Sequence, residues 1–174
     1  MHKNHRFNLD TLKAETWKNG KGVTRQIANS MPNEAYWRFS IADVSVDGDF
    51  SVFPELARIL TVVAGKGMLL SMSDKDVAAN YAKPIHFAGN IPVYGKLLDG
   101  AVQNFNLIYD ANKIEALVRV GGVENSRLPH DENTIMTMAY CLATHQGIIN
   151  PTQEIRSNNS QSSFVLSFQL KFKR

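Results

Sequence analysis

The sequence predicts an all-β fold, a sandwich or a barrel, from three observations. Apolar and polar residues alternate at period two along many short stretches. Gly, Pro, Asn and Asp turn signals separate those stretches at close spacing. No long stretch carries the spacing of an amphipathic helix. The pattern amounts to roughly ten strands.

Taken in order, residues 1–15 open weakly, with Phe7, Leu9 and Leu12 as apolar points and Asp10 able to start a turn. Asn19-Gly20 is a tight-turn signal, because both residues tolerate positive φ. Val23 to Ile27 then reads as a strand with Val23, Arg25 and Ile27 on one face and Thr24 and Gln26 on the other. Pro32 and its neighbouring Asn residues mark a loop. The next strand is the clearest: Trp37, Phe39 and Ile41 point to a core, and Arg38, Ser40 and Ala42 point the opposite way. Phe50 to Phe53 reads as a short strand ended by Pro54, and Glu55 to Arg58 as a single turn. Ile59 to Val63 is β-branched and reads as a buried strand, turned back at Gly65-Lys66-Gly67 into Met68 to Met72.

Residues 73–83 read as polar and irregular. Pro92 to Leu98, Asn104 to Tyr109, Ile114 to Val120, Thr134 to Leu142 and Phe164 to Phe172 are the remaining strands. In the last of them Phe164, Leu166, Phe168, Leu170 and Phe172 form an apolar face, with Ser167, Gln169 and Lys171 expected in water. Residues 144–163 are rich in Asn, Gln and Ser and read as a long loop.

Length and composition narrow the function classes. A chain of 174 residues is one domain, residues 1–174, or two small modules fused into one body. The apolar fraction of 44% and charged fraction of 20% are those of a globular protein. A net charge of +3, from 19 basic and 16 acidic residues, is too slight and too scattered to point to nucleic acid. The locally basic ends, His2 to Arg6 and Lys171 to Arg174, read as solvated termini. One cysteine, Cys141, cannot form an internal disulfide, and no apolar run approaches the ~20 residues of a membrane helix. With no signal-peptide core at the start, the expected location is the cytoplasm.

Motifs for bond-breaking chemistry are sparse. His86, His130 and His145 stand apart, without the paired spacing of a metal site, so no metal and no cofactor is expected. Neither a nucleophile elbow nor a phosphate-binding glycine loop occurs. Asp43 is the carboxylate that could serve as a base, although at a strand end it reads first as a turn acceptor. What remains is arginine and amide. Arg25, Arg38 and Arg58 lie in or just before strands, with Asn19, Thr24, Ser40 and Asn106 at comparable positions. A guanidinium offers a planar fork that matches a carboxylate in two bonds. These seven residues are therefore candidates for recognising an anion, with Arg25 the weaker because it shares a face with Val23 and Ile27.

The run Trp17-Lys18-Asn19-Gly20-Lys21-Gly22-Val23-Thr24-Arg25-Gln26-Ile27 resembles the W-x-N-G-x-G-x-T-R-x-I opening of the HutD/Ves family. Trp37-Arg38-Phe39-Ser40-Ile41-Ala42-Asp43-Val44 resembles its W-R-x-S-x-A-x-V strand. Gly48 to Pro54, Arg58, Gly65-Lys66-Gly67, Phe87-Ala88-Gly89, Leu98-Asp99-Gly100 and Asn104 to Leu107 continue the match in order, over about residues 15–110. The resemblance implies a cupin-like (RmlC-type) jelly-roll barrel, in this family two cupin modules packed together. It implies a role in histidine utilisation or stress response through a small acidic metabolite such as urocanate or a formylated glutamate derivative, with no firmly attached reaction. Two positions depart from the family pattern: Asn104 and Asn90 stand where carboxylates are usual.

The expected function is a non-catalytic, metal-free protein that binds a small carboxylate metabolite. The alternative is a metal-independent isomerase or hydrolase that uses Asp43 or a histidine as base. A third reading is a stress protein whose ends or polar loop, residues 1–6 or 150–162, contact another macromolecule. No oligomeric state is implied.

Overall fold

Period-two alternation produces strands almost everywhere it occurs. The structure, a computed structural model, describes residues 5–122, 128–150 and 164–173. In chain order the strands are β1 (His5–Asn8), β2 (Ala14–Thr16), β3 (Gly22–Asn29), β4 (Trp37–Val44), β5 (Gly48–Asp49), β6 (Ala57–Ala64), β7 (Met68–Ser71) and β8 (Asp76–Ala79). They continue as β9 (Ile85–Ala88), β10 (Tyr94–Leu97), β11 (Val102–Tyr109), β12 (Ile114–Gly121), β13 (Thr134–Cys141), β14 (Gln146–Ile149) and β15 (Val165–Phe172). The helical content among the described residues is one short 3-10 turn, Leu9–Thr11, capped by the Asn8 side chain. Among the described residues no helix is long and apolar enough to cross a membrane.

The chain divides into two compact units, Lys13–Ala111 and the pair of segments Met1–Leu12 with Asn112–Arg174. The first unit has two antiparallel sheets, ordered β2-β3-β4-β11-β6-β9 and β5-β10-β7-β8. Its core lies between them: Ala42, Val44, Leu60, Val62 and Val102 from one sheet meet Met68, Leu70 and Ala79 from the other. The opposite face of the six-stranded sheet is also apolar and buried, through Trp37, Phe39, Ile41, Ile59, Phe105 and Leu107. The alternation of β4 therefore separates two buried faces, not a core from bulk water. Ser40 is only 3% exposed.

The second unit is a five-stranded antiparallel sheet ordered β1-β14-β13-β15-β12. Leu166, Phe168 and Leu170 are buried on one face, as the alternation requires. Ser167 and Gln169, expected in water, are buried as well, at 1% and 2% exposure. Gln169 reconciles burial with polarity by donating through Nε2 to the Pro129 carbonyl. The apolar row fades at its ends, where Phe164 and Phe172 are half exposed.

Other local expectations are corrected. The polar stretch 73–83 contains β8, held by its ladder to β7. The expected loop 144–163 contains β14, and its residues 151–163 lie outside the described set, as do residues 1–4 of the basic N-terminus. Phe50 to Pro54 is not a strand; β5 ends before it, and its residues turn toward the cleft described below. The expected turn at Ala57-Arg58 is already β6.

The β6–β7 turn places Gly67 at φ +101, and a Cβ there would sit 2.6 Å from the Ala79 carbonyl oxygen. Gly100 has φ +72 with open space around it. Gly67→Ala is expected to lower the unfolding free energy by about 1–3 kcal/mol, and Gly100→Ala by less, in urea denaturation of the two variants.

Candidate functional site

The six-stranded sheet brings the candidate residues together because β11 inserts between β4 and β6. Residues opposite each other in an antiparallel ladder share a face. Ile108 pairs with Arg38 on one side and Arg58 on the other. One step along, Asn106 pairs with Ser40 and Leu60, and Asn104 with Ala42 and Val62. Thr24 joins the same face by pairing with Ala42. The two arginine backbones are thus one strand apart, about 10 Å at ordinary strand spacing.

This face forms the floor of a cleft of about 470 Å³. Asn19, Thr24, Arg38, Ser40, Arg58 and Asn106 all line it. Arg25 does not: it pairs in register with Ile41 on the reverse face and forms an ion pair with Asp43. The second Asp43 oxygen accepts from Gln103 Nε2 at 2.8 Å. Both oxygens of Asp43, the carboxylate the sequence offers as a base, are therefore engaged, away from the cleft. The walls come from residues the sequence reading passed over as site residues, Trp17, Phe50 and Phe53. Their signal was three aromatic rings beside the turn and loop that flank the arginine strands.

Arg58 is the deepest cation, at 5% exposure. Its Nη2 donates to Asn106 Oδ1 at 3.1 Å, and its Nη1 to the Ser51 carbonyl at 3.3 Å. Asn106 in turn donates through Nδ2 to Asn104 Oδ1. The relay is neutral throughout. Three rings surround the guanidinium, with its carbon 5.0, 5.4 and 5.5 Å from the centres of Phe87, Phe50 and Phe53. Such faces attract a cation by about 0.5–2 kcal/mol each, less than a carboxylate would in the same place. Burial, and secondarily the positive charge of Arg38, hold the Arg58 pKa down to about 10.

Arg38 stands over the same Phe53 ring, 5.5 Å from its centre. Its Nε is buried and, among the described residues, has no hydrogen-bond partner, as is true of Arg58 Nε. Neither arginine forms an ion pair among the described residues. Thr24 Oγ1 accepts from Trp17 Nε1 at 2.7 Å, which fixes the indole wall. Asp49 is the one carboxylate in the lining, on an exposed residue. With two guanidiniums, one exposed carboxylate and no imidazole or thiolate, this donor set does not fit a metal ion. Among the described residues no group of three or more His, Cys, Asp and Glu side chains gathers elsewhere. His86 and His130 are exposed and His145 half-buried, on separate elements.

A two-sheet antiparallel body with a polar cleft on one inner sheet face is that of a cupin-like protein. The chain belongs to the HutD family, whose sequence profile matches residues 9–167. A conserved protein of unknown function from Pseudomonas aeruginosa PAO1 is similar in structure, with a TM-score of 0.82 and 25% identity over 98% of this chain and 100% of that one. HutD from Pseudomonas fluorescens SBW25, solved in a formate condition, has a TM-score of 0.75 and 22% identity over 98% of both chains. Ylba from E. coli shares the fold at a TM-score of 0.66 and 9% identity, over 98% of this chain and 90% of that one.

The two arginines differ in what they would lose by mutation. Arg38→Met removes a charge that makes no hydrogen bond here and relieves the repulsion on Arg58. The unfolding free energy is expected to hold or rise, within about 1 kcal/mol. Arg58→Ala leaves Asn106 Oδ1 and the Ser51 carbonyl without their donor and is expected to cost about 1–3 kcal/mol. Paired urea titrations measure both.

Proposed function

We propose that the cleft of the Lys13–Ala111 unit binds a small carboxylate metabolite without chemically changing it, and that the protein serves histidine utilisation in the cytoplasm. The observation that carries the reading is the pair of buried or half-buried guanidiniums on one face, neither in an ion pair among the described residues, with the exposed Asp49 as the lining's one carboxylate. An anion entering between Arg38 and Arg58 would meet the positive charge of both guanidiniums, the deeper one at 5% exposure. Hydrogen bonds to a charged group contribute about 1.5–3 kcal/mol each. Micromolar affinity, about −8 kcal/mol, would need two of them together with further polar contacts and burial against the rings. Ser40 and Asn19 would supply further polar contacts, and the Trp17, Phe50 and Phe53 rings suit a flat or conjugated body.

The family supports urocanate and formylated glutamate derivatives as the first acids to try, and the formate condition of the Pseudomonas fluorescens protein adds formate. Asp49 supports the alternative, a metal-independent isomerase or hydrolase acting on the same acid, because it is the lining's one carboxylate. A turnover assay on these acids with wild type and Asp49→Asn separates the two readings.

Calorimetric titration with urocanate, formate and N-formylglutamate is expected to give micromolar binding of at least one acid, weakening as salt is added. Arg58→Lys keeps the charge but loses the fork, and should weaken that binding by about tenfold or more. No binding of any acid to the wild type would overturn the proposal.

A further inference from the structure

The sheet edges of this protein are not alike. A strand at a sheet edge presents unpaired N–H and C=O groups, and proteins usually blunt it by shortness, bulges, proline or lysine. Among the described residues five of the six edge strands are short: β1, β2, β5, β8 and β9 have between two and four residues. The sixth, β12, has eight. Its ladder to β15 runs without a register shift, and it contains no proline and no lysine. Beyond that ladder no residue of β12 makes a backbone hydrogen bond among the described residues. Alternate residues of β12 therefore direct their backbone groups outward, along a straight edge.

The side chains on this edge are self-complementary. Read outward from Leu117, the strand places Ala116 against Val118, Glu115 against Arg119 and Ile114 against Val120. We propose that two copies of the chain pair edge to edge and antiparallel through β12, about a two-fold axis at Leu117. In that register Leu117 faces its own copy, and each Glu115 faces the partner's Arg119. The apolar residues of the other face meet one another, so the register brings no like charges together. Closed two-fold symmetry is the commonest form of association between identical chains, and residue-centred pairing satisfies it.

Exposure and charge support this occupant over an unrelated one. Leu117 is 38% exposed, an apolar side chain at the centre of a flanking charge pair. Within the chain Arg119 sits opposite Ser167, and Glu115 opposite Lys171, whose ammonium is held by Asp131. Neither Glu115 nor Arg119 forms an ion pair among the described residues. Pairing would join two five-stranded sheets into one continuous sheet and leave β1 as the terminal strand at both ends.

Sedimentation of the full chain over a micromolar concentration series tests the pairing. The wild type is expected to sediment as a dimer in equilibrium with monomer. Glu115→Arg sets like charges opposite each other twice, and should raise the dissociation constant by about tenfold or more. Combining Glu115→Arg with Arg119→Glu restores complementarity and should bring the dimer back. As an independent check, Leu117→Cys places two thiols across the axis, and a short bis-maleimide cross-linker should capture a covalent dimer. A wild type that stays monomeric, a dimer indifferent to Glu115→Arg, or no cross-link through Leu117→Cys would each overturn the proposal.

Discussion

Positive charge held inside a β-sheet without a matching negative one is the constraint around which the Lys13–Ala111 unit is arranged. Arg38 and Arg58 would repel one another in any fold that brought them close, and a fold must offset that repulsion to keep them. Here the offset comes from ring faces and from amide oxygens. Phe53 lies beneath both guanidiniums, Phe50 and Phe87 enclose the deeper one, and Asn106 accepts from it. None of these neutralises the charge. The cleft consequently keeps an electrostatic deficit that a carboxylate would fill.

Packing explains how the deficit survives. The central strands β4, β11 and β6 of the six-stranded sheet are buried on both faces along most of their length, so their register is fixed. Below the arginine row the same inner face turns apolar, through Ala42, Val44, Leu60 and Val62, and becomes the core. A single strand such as β4 thus begins in the floor of the cleft and ends as packing. Asn104 marks the transition. It is fully buried among apolar neighbours, accepts from Asn106, and leaves its own Nδ2 without a partner. A carboxylate at that position would compensate Arg58 from within.

Much of this was legible in the residues. The alternation of β4 is local information, and it correctly put Arg38 and Ser40 on one face and Trp37, Phe39 and Ile41 on the other. The neighbourhood of Arg58 was not local information. Arg58 meets Asn106 only because β11 lies between β4 and β6, and a pairing across that many residues leaves no mark in a short window. The parity of β3 was similarly hidden. Whether Thr24 or Arg25 shares the arginine face depends on the register to β4, which shifts at a bulge between Gln26 and Ala28. In the second unit the alternation of β15 marked Ser167 and Gln169 as polar but not as buried. For Gln169 the partner that makes burial tolerable, the Pro129 carbonyl, comes from far away in sequence.

One property of the relay behind Arg58 reaches further than the cleft. Every group in it is an amide or a backbone carbonyl, and Arg58 itself loses its proton only near pH 10. An ordinary carboxylic acid is already ionised above roughly pH 5. Between those limits neither the deep cation nor a guest whose only titrating group is that carboxyl changes protonation. Occupancy would then follow the concentration of the acid and ignore the acidity of the surroundings, which is the behaviour required of a gauge for metabolite level.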